Sequence, residues 1–183
     1  SVMTAHLAVP ALDATPAPVL EKAVRTHDFT EDVKEVEKEG TLPATLSRAM
    51  TTKLLREELG FGGLVFTDSM SMGGVVAHFE TGEAAVRVLE ASGDVVLMPP
   101  DAKRAIDAIV AAVESGRLPE ARLDEAVTRL LAEKERLGLF SARAVPLEEI
   151  ARKAGTLAQK ETEEEIARRG LTLVREAPGA LPF

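Results

Sequence analysis

Two short runs of this chain are apolar on consecutive residues: Leu64 to Phe66 in "GLVFTDSMSM" and Val95 to Met98 in "GDVVLMPP". Alternation would mark a strand with one wet face, whereas a continuous run marks a strand buried on both faces, as in a parallel sheet covered by helices. Parallel neighbours need a crossover, and helical text stands beside each run. In "RAMTTKLLREELG", Met50, Leu54, Leu55 and Leu59 recur at helical spacing behind Ser47, a good capping residue. "GEAAVRVLEASG" predicts a helix closing at Gly93. "AKRAIDAIVAAVESG" predicts one capped by Asp101, with an apolar stripe of Ile106, Ile109, Val110 and Val113. Asp124 is expected to cap a further helix to Leu137, with Val127, Leu130 and Leu131 facing inward. With "SVMTAHL" as a first strand, strand and helix alternate three times, which argues a parallel α/β fold.

Three strands do not finish such a domain. A (β/α)8 barrel needs eight, and a smaller sheet would leave apolar edges uncovered. The expectation is a piece of a larger protein, truncated at both ends, that needs its missing partner segment for solubility as well as function. Residues 14–45 read as a long loop insert with a charged middle, "FTEDVKEVEKEG". Beyond Phe140 the text turns to "LEEIARKAGTLAQKETEEEIARRG", expected to be one long amphipathic linker helix, and "LTLVREAPGALPF" reads as the start of a further domain. The expected organisation is thus a barrel portion over 1–139, a helical linker over 140–170 and the beginning of a second α/β domain over 171–183.

Composition removes several functions. The net charge of -8, with 22 Lys and Arg interleaved among 30 acids, disfavours nucleic acid, since phosphate binding wants a basic face. No stretch approaches the roughly 20 apolar residues of a membrane helix. With no cysteine there is neither a thiolate zinc site nor a disulfide, and the three histidines show no metal-ligand spacing, so no metal and no cofactor are predicted.

Chemistry is sought at the carboxyl ends of parallel strands, where barrels and doubly wound sheets both place it. The loops that qualify follow His6, Thr67 and Met98. Asp68 stands at such an end with no basic neighbour in sequence, which suits a nucleophile or general base held on a rigid element. It equally suits the cap of the next helix, and position alone leaves both roles open. His6 ends a strand at the same mouth, fitting either a substrate ligand or a hydrogen-bonded structural residue. His27 lies in the charged insert, and His78 before Phe79 reads as loop packing. Met70 and Met72 fit core filling or the border of a site. Asp94 and Asp101 read as turn and cap residues.

The wider stretch "LLREELGFGGLVFTDSMS", Leu54 to Ser71, resembles the active-site signature of glycoside hydrolase family three. The resemblance extends through "MTAH" (Met3 to His6), "PATLS" (Pro43 to Ser47), "MGGVVAHFETGEAAVRVLEASGDVVLMP" and "LDEAVTRLLAEKERLGL", and covers nearly the whole chain. It implies the carboxyl-terminal part of a (β/α)8 TIM-type barrel, carrying strands six to eight, and a retaining hydrolysis with Asp68 as nucleophile. Members that cleave simple glucosides carry Trp directly after the nucleophile. Here that place is Ser69 and the chain has no Trp, so "DSMSM" with "MTAH" resembles the β-N-acetylhexosaminidase branch, whose substrates are N-acetylglucosaminides such as those of peptidoglycan turnover. In that branch Met72 matches a recurrent Met and is, with His6, the substrate-binding candidate. The branch takes its general acid from a His on a loop with a Lys-His-Phe-Pro-Gly-type lead-in, which no segment of this sequence matches. The resemblance therefore places the acid and most of the sugar clamp in a missing amino-terminal half of the barrel, and implies negligible activity for this segment alone. A family phosphorylase or β-glucosidase, and a non-catalytic domain retaining the fold, stay as alternatives. The longer, linker-bearing form resembles exported members more than short cytoplasmic ones.

Overall fold

The computed structural model describes residues 1–18, 20, 40–142 and 144–172. The charged middle of the insert with His27, and the closing phrase from residue 173, lie outside the described residues. The chain divides into two compact units, Ser1–Leu137 and Gly138–Phe183.

In the first unit, strand β1 (Val2–Thr4) pairs in parallel with β2 (Val65–Thr67) in the register Val2 to Val65, Met3 to Phe66 and Thr4 to Thr67. On the other side of β2, Phe66 forms a parallel bridge with Val95. The three extended segments thus stand in chain order, each beside the one before it, as in the wall of a strand-and-helix barrel. The third does not become the regular strand that "DVVLM" predicts. Val65 O accepts the N–H groups of both Asp94 and Val95, and the Leu97 N–H goes to the side-chain Oγ1 of Thr67 at 2.9 Å, so a hydroxyl replaces the next rung of the ladder. Met98 then takes φ 46°, a left-handed backbone that side chains seldom adopt.

Four α-helices follow β2 in this unit, α1 (Gly73–Val76), α2 (Thr81–Glu90), α3 (Ala102–Glu114) and α4 (Glu120–Arg136), and α3 and α4 both pack on α2. A core of Leu46, Met70, Val75, Phe79 and Val88 joins α1 and α2, with Val96 of the third extended segment packed against it, and a second of Val86, Leu89, Ala112 and Leu118 joins α2 to α3. Each Val, Leu, Met or Phe side chain among them, fully buried, contributes about 1.5–3 kcal/mol.

Several boundaries and faces differ from the sequence reading. Helix α4 begins at Glu120 behind Pro119, so Asp124 sits inside it and caps nothing. A proline at that point brings its fixed φ to the helix entrance, which ends the search for a polar cap. The buried faces are lined by alanines, Ala105 and Ala112 on α3 and Ala126 on α4, while Ile106, Val110, Val127 and Leu131 are exposed. The expected stripes hold in part: Ile109 and Val113 pack against the core between α2 and α3 and Leu130 is half-buried, so each true contact face lies between those residues and the alanines. The left-handed residue ending α2 is Ser92, not Gly93. Gly93 is small for a different reason: a Cβ there would meet Val88 Cγ1 at 2.6 Å.

The helix Ala49–Glu58 is wound wider than an α-helix, closing with the Leu59 N–H bonded to Leu54 O. Ser47 Oγ accepts the Met50 N–H at 3.1 Å at its start. The wide winding leaves Leu59 exposed and turns Arg56 inward. Its Nη1 reaches Phe61 O and Gly63 O, and its Nη2 reaches Ser92 O and, at 2.6 Å, Asp94 Oδ2. The side chain of Asp94 is 0% exposed. It accepts in addition from the Val65 N–H at 2.9 Å, from Arg122 Nη2 at 3.0 Å and from Arg129 Nη1 at 3.0 Å. Asp94 is therefore a buried carboxylate joining two helices to the start of β2, well beyond the turn residue that its position suggested.

The excursion beginning near Asp13 is pinned at its base. Leu42 N–H bonds Thr15 O, Ala17 N–H bonds Gly40 O, and Ala44 N–H bonds Leu7 O, so both ends of the insert return to one place. In the second unit the expected single linker helix is two, α5 (Leu147–Lys153) and α6 (Leu157–Gly170). Gly155, at φ 69°, separates them, and Thr156 with Gln159 forms a capping box that starts α6 afresh. Among the described residues no helix is long and apolar enough to cross a membrane.

Two expectations follow for stability. Replacing Asp94 by Ala leaves Arg56 and Arg122 buried without their carboxylate and should lower unfolding free energy by about 3–5 kcal/mol in urea titration, while a loss under about 1 kcal/mol would contradict its central place. On α2, hydrogen bonds from Arg117, followed by those from Arg87, hold the Glu83 carboxyl below its ordinary value of 4.5. A depressed pKa in the folded state means stabilisation that is full above the ordinary value and fades as pH falls through the lowered one. Thermal unfolding of Glu83→Gln should thus lie below that of the parent at neutral pH by about 1 kcal/mol or less, since the pair is partly solvated, and converge with it in acid.

Candidate active site

The sequence reading placed the chemistry at the carboxyl ends of the strands, and three of its residues lie there. Asp68 follows β2 directly, half-buried, with its N–H bonded to Thr4 O at 3.1 Å. Its Oδ1 accepts the N–H of Ser69 at 2.7 Å. Among the described residues Oδ2 has no hydrogen bond and neither oxygen meets a Lys, Arg or His. The next helix, α1, begins five residues later behind Met72 and takes no side-chain cap, so Asp68 caps no helix. One oxygen of the carboxylate is thus held by a backbone donor while the other, among the described residues, is left open.

His6 lies just past β1 and is also half-buried. Its Nε2 stands 2.9 Å from Ser69 O and its Nδ1 2.9 Å from Thr45 Oγ1. A carbonyl oxygen only accepts, so Nε2 carries a hydrogen. Both ring nitrogens are thereby engaged within the protein. Thr45, almost fully buried, is shared: its hydroxyl is 3.1 Å from Ala5 O and receives the Thr4 hydroxyl at 3.0 Å. Gly74, the second residue of α1, rests against His6; a Cβ at that position would meet His6 O at 2.9 Å and His6 Cβ at 3.1 Å.

The two methionines part company. Met70 is buried in the core against Val75 and Phe79, while Met72 is 47% exposed at the entrance to α1. Ser69 Oγ and Ser71 Oγ lie 2.7 Å apart. His78 bonds Pro18 O through Nδ1 at 2.9 Å, away from these groups, and Asp101 caps α3 by accepting the Arg104 N–H. No group of three or more potential metal-ligating residues occurs among the described residues. Thr45 and Gly74 were not singled out in the sequence reading. Their contacts join residues 39 apart for Thr45 and likewise distant ones for Gly74, and no periodicity carries that information.

With this geometry in place, comparison with known proteins is specific. The family model described as the glycosyl hydrolase family 3 N terminal domain matches residues 1–132. A β-N-acetylglucosaminidase/β-glucosidase of Cellulomonas fimi is 33% identical over 186 residues, covering 100% of this chain and 30% of that protein. The structure of a family 3 β-N-acetylglucosaminidase from a Paenibacillus species is 39% identical with a TM-score of 0.62, covering 74% of this chain and 26% of that one. A β-glucoside phosphorylase structure is 25% identical with a TM-score of 0.75, covering 100% of this chain and 31% of that one. The chain thus spans less than a third of the length of each of these proteins. Its parallel β–α arrangement is of the TIM-barrel type, and the chain belongs to glycoside hydrolase family 3.

Proposed function

We propose that this chain is the part of a family 3 barrel that carries the nucleophile for removing β-linked N-acetylglucosamine, with Asp68 in that role. The observation that bears the weight is the carboxylate itself: at the mouth of a parallel sheet, one oxygen oriented by the Ser69 N–H, the other open, and no cation of the described residues neutralising it. In the first step Asp68 Oδ2 attacks the anomeric carbon as the glycosidic bond breaks and the leaving oxygen takes up a proton. In the second, water attacks the same carbon and gives a proton back to the group that donated one, the bond from that carbon to Asp68 breaks to free the sugar and the carboxylate, and the two inversions together retain configuration. The proton donor belongs to a barrel segment outside residues 1–183, together with the five remaining strands and most of the sugar clamp. Met72, exposed beside the Asp68 turn, is the residue of this chain proposed to border the sugar. The linker and second-domain assignment over 140–170 and 171–183 belongs to the same proposal.

The choice of an N-acetylglucosaminide rests on Ser69 in the place of Trp and on the named activities of the relatives from Cellulomonas and Paenibacillus. A second reading has its own support: likeness to the β-glucoside phosphorylase runs over the whole chain. There Asp68 would act identically and phosphate would take the place of water.

In the full-length protein carrying this segment, Asp68→Asn should lower kcat/KM on an aryl N-acetyl-β-glucosaminide by about 10³-fold or more with unchanged circular dichroism. Undiminished turnover would leave only the reading of a non-catalytic domain. Preference for the aryl β-glucoside over its 2-acetamido counterpart would overturn the substrate, and release of a sugar phosphate that depends on added phosphate would select phosphorolysis.

A further inference from the structure

The histidine at the mouth offers no free nitrogen to a sugar, and its contacts point somewhere else. The Ser69 carbonyl accepts two hydrogens, one from His6 Nε2 at 2.9 Å and one from the Met72 N–H at 3.1 Å. The N–H of the same peptide unit, that of Met70, bonds Leu97 O at 2.9 Å. The preceding peptide gives its Ser69 N–H to Asp68 Oδ1. Every peptide group around the carboxylate is therefore fastened: Asp68 N–H to β1, Ser69 N–H to the carboxylate, Ser69 O to His6, Met70 N–H to the third extended segment. Two of these bonds use a side chain, that of Asp68 itself and that of His6, and His6 shares Ser69 O with the Met72 N–H.

We infer that His6 is a positioning residue for Asp68, its Nε2–H holding the Ser69 carbonyl so that the Asp68–Ser69 turn presents the free carboxylate oxygen to the mouth. The inference rests on the nucleophile reading of Asp68. The ring is itself held from two sides. Gly74 leaves room for α1 to lie against its Cβ and carbonyl, and Thr45 meets Nδ1. The single Thr45 hydroxyl hydrogen has two acceptors in reach, Nδ1 of a neutral ring at 2.9 Å and Ala5 O at 3.1 Å, and the shorter contact is the one to the imidazole; the Thr4 hydroxyl in turn lies 3.0 Å from Thr45 Oγ1 and 3.2 Å from Phe66 O. A chain of three side chains thus runs from β1 through the Thr45 turn to the residue after the nucleophile. Rotation of the imidazole would need this chain to break, which fixes the direction of the Nε2–H bond.

The group serves geometry rather than sugar affinity, and its loss should therefore appear in kcat and not in KM. Displacement of an attacking atom by about 1 Å reduces rate on the order of 10²-fold. His6→Phe in the full-length protein keeps the ring volume and removes both nitrogens; kcat on the aryl N-acetyl-β-glucosaminide should fall by about 10²-fold with KM within about threefold of the parent. His6→Gln places an amide N–H the same number of bonds from Cβ as Nε2 and should recover most of that loss. A His6→Phe enzyme as fast as the parent, or a His6→Gln enzyme no better than His6→Phe, or a loss confined to KM, would overturn the inference. If His6→Phe does not fold, Thr45→Val decides the matter by freeing the imidazole from its other side: a lower kcat at constant KM is expected, and an unchanged kcat overturns it. Asp68→Asn run in parallel separates the two levels. An active Asp68→Asn enzyme removes the nucleophile reading itself, whereas an inactive one beside a fully active His6→Phe removes only the role of His6.

Discussion

A single carboxylate organises the end of the sheet opposite the site. Asp94 has no exposed side-chain surface and receives hydrogen bonds from three arginines and from the first N–H of β2. Desolvating one acid is expensive, and desolvating it beside three strong donors is not the same problem, because each oxygen finds more than one partner. The arginines come from different places: Arg56 from the wide helix before β2, Arg122 and Arg129 from α4. Arg56 also ties Phe61, Gly63 and Ser92 through their carbonyls, and Arg122 ties Leu89 and Gly93. Helices before and after the sheet are thereby fixed to the strand starts, with geometry taken from planar guanidinium groups rather than from apolar contact alone.

That arrangement leaves the carboxyl ends of the strands free of structural ion pairs. No salt bridge of the described residues reaches Asp68, and the polar contacts there are hydroxyl, imidazole and peptide groups. The ion pairs around Asp94 are gathered at one end, and Asp68 is held by neutral hydrogen bonds at the other, where among the described residues it keeps one oxygen unbonded.

What the sequence disclosed follows the range over which its signals act. The consecutive apolar runs at Leu64 and Val95 and the helical texts between them were enough for parallel strands in alternation with helices, since those patterns are local. The motif around Asp68 was legible because its residues are contiguous. The helix faces were legible in part: Ile109 and Val113 meet the core as the spacing predicts, whereas the fully buried Ala105, Ala112 and Ala126 carry too little hydropathy to be marked out among larger neighbours. The irregular third segment was not visible, because it turns on Thr67 Oγ1 taking the Leu97 N–H. His6 was found as a residue of the mouth, but the partners that occupy its nitrogens come from Thr45 and Ser69, 39 and 63 positions away.

The bonded base of the long insert has a consequence for the length of chain it can enclose. Thr15 O and Ala17 N–H face Leu42 N–H and Gly40 O, so the two ends of the excursion are bonded directly to each other. Closing a loop whose ends are already fixed becomes harder only slowly with length, by about 0.6 kcal/mol for each doubling. The two bonds between Thr15 and Leu42 and between Ala17 and Gly40 would accordingly hold the ends together at a cost that depends only weakly on how many residues lie between them.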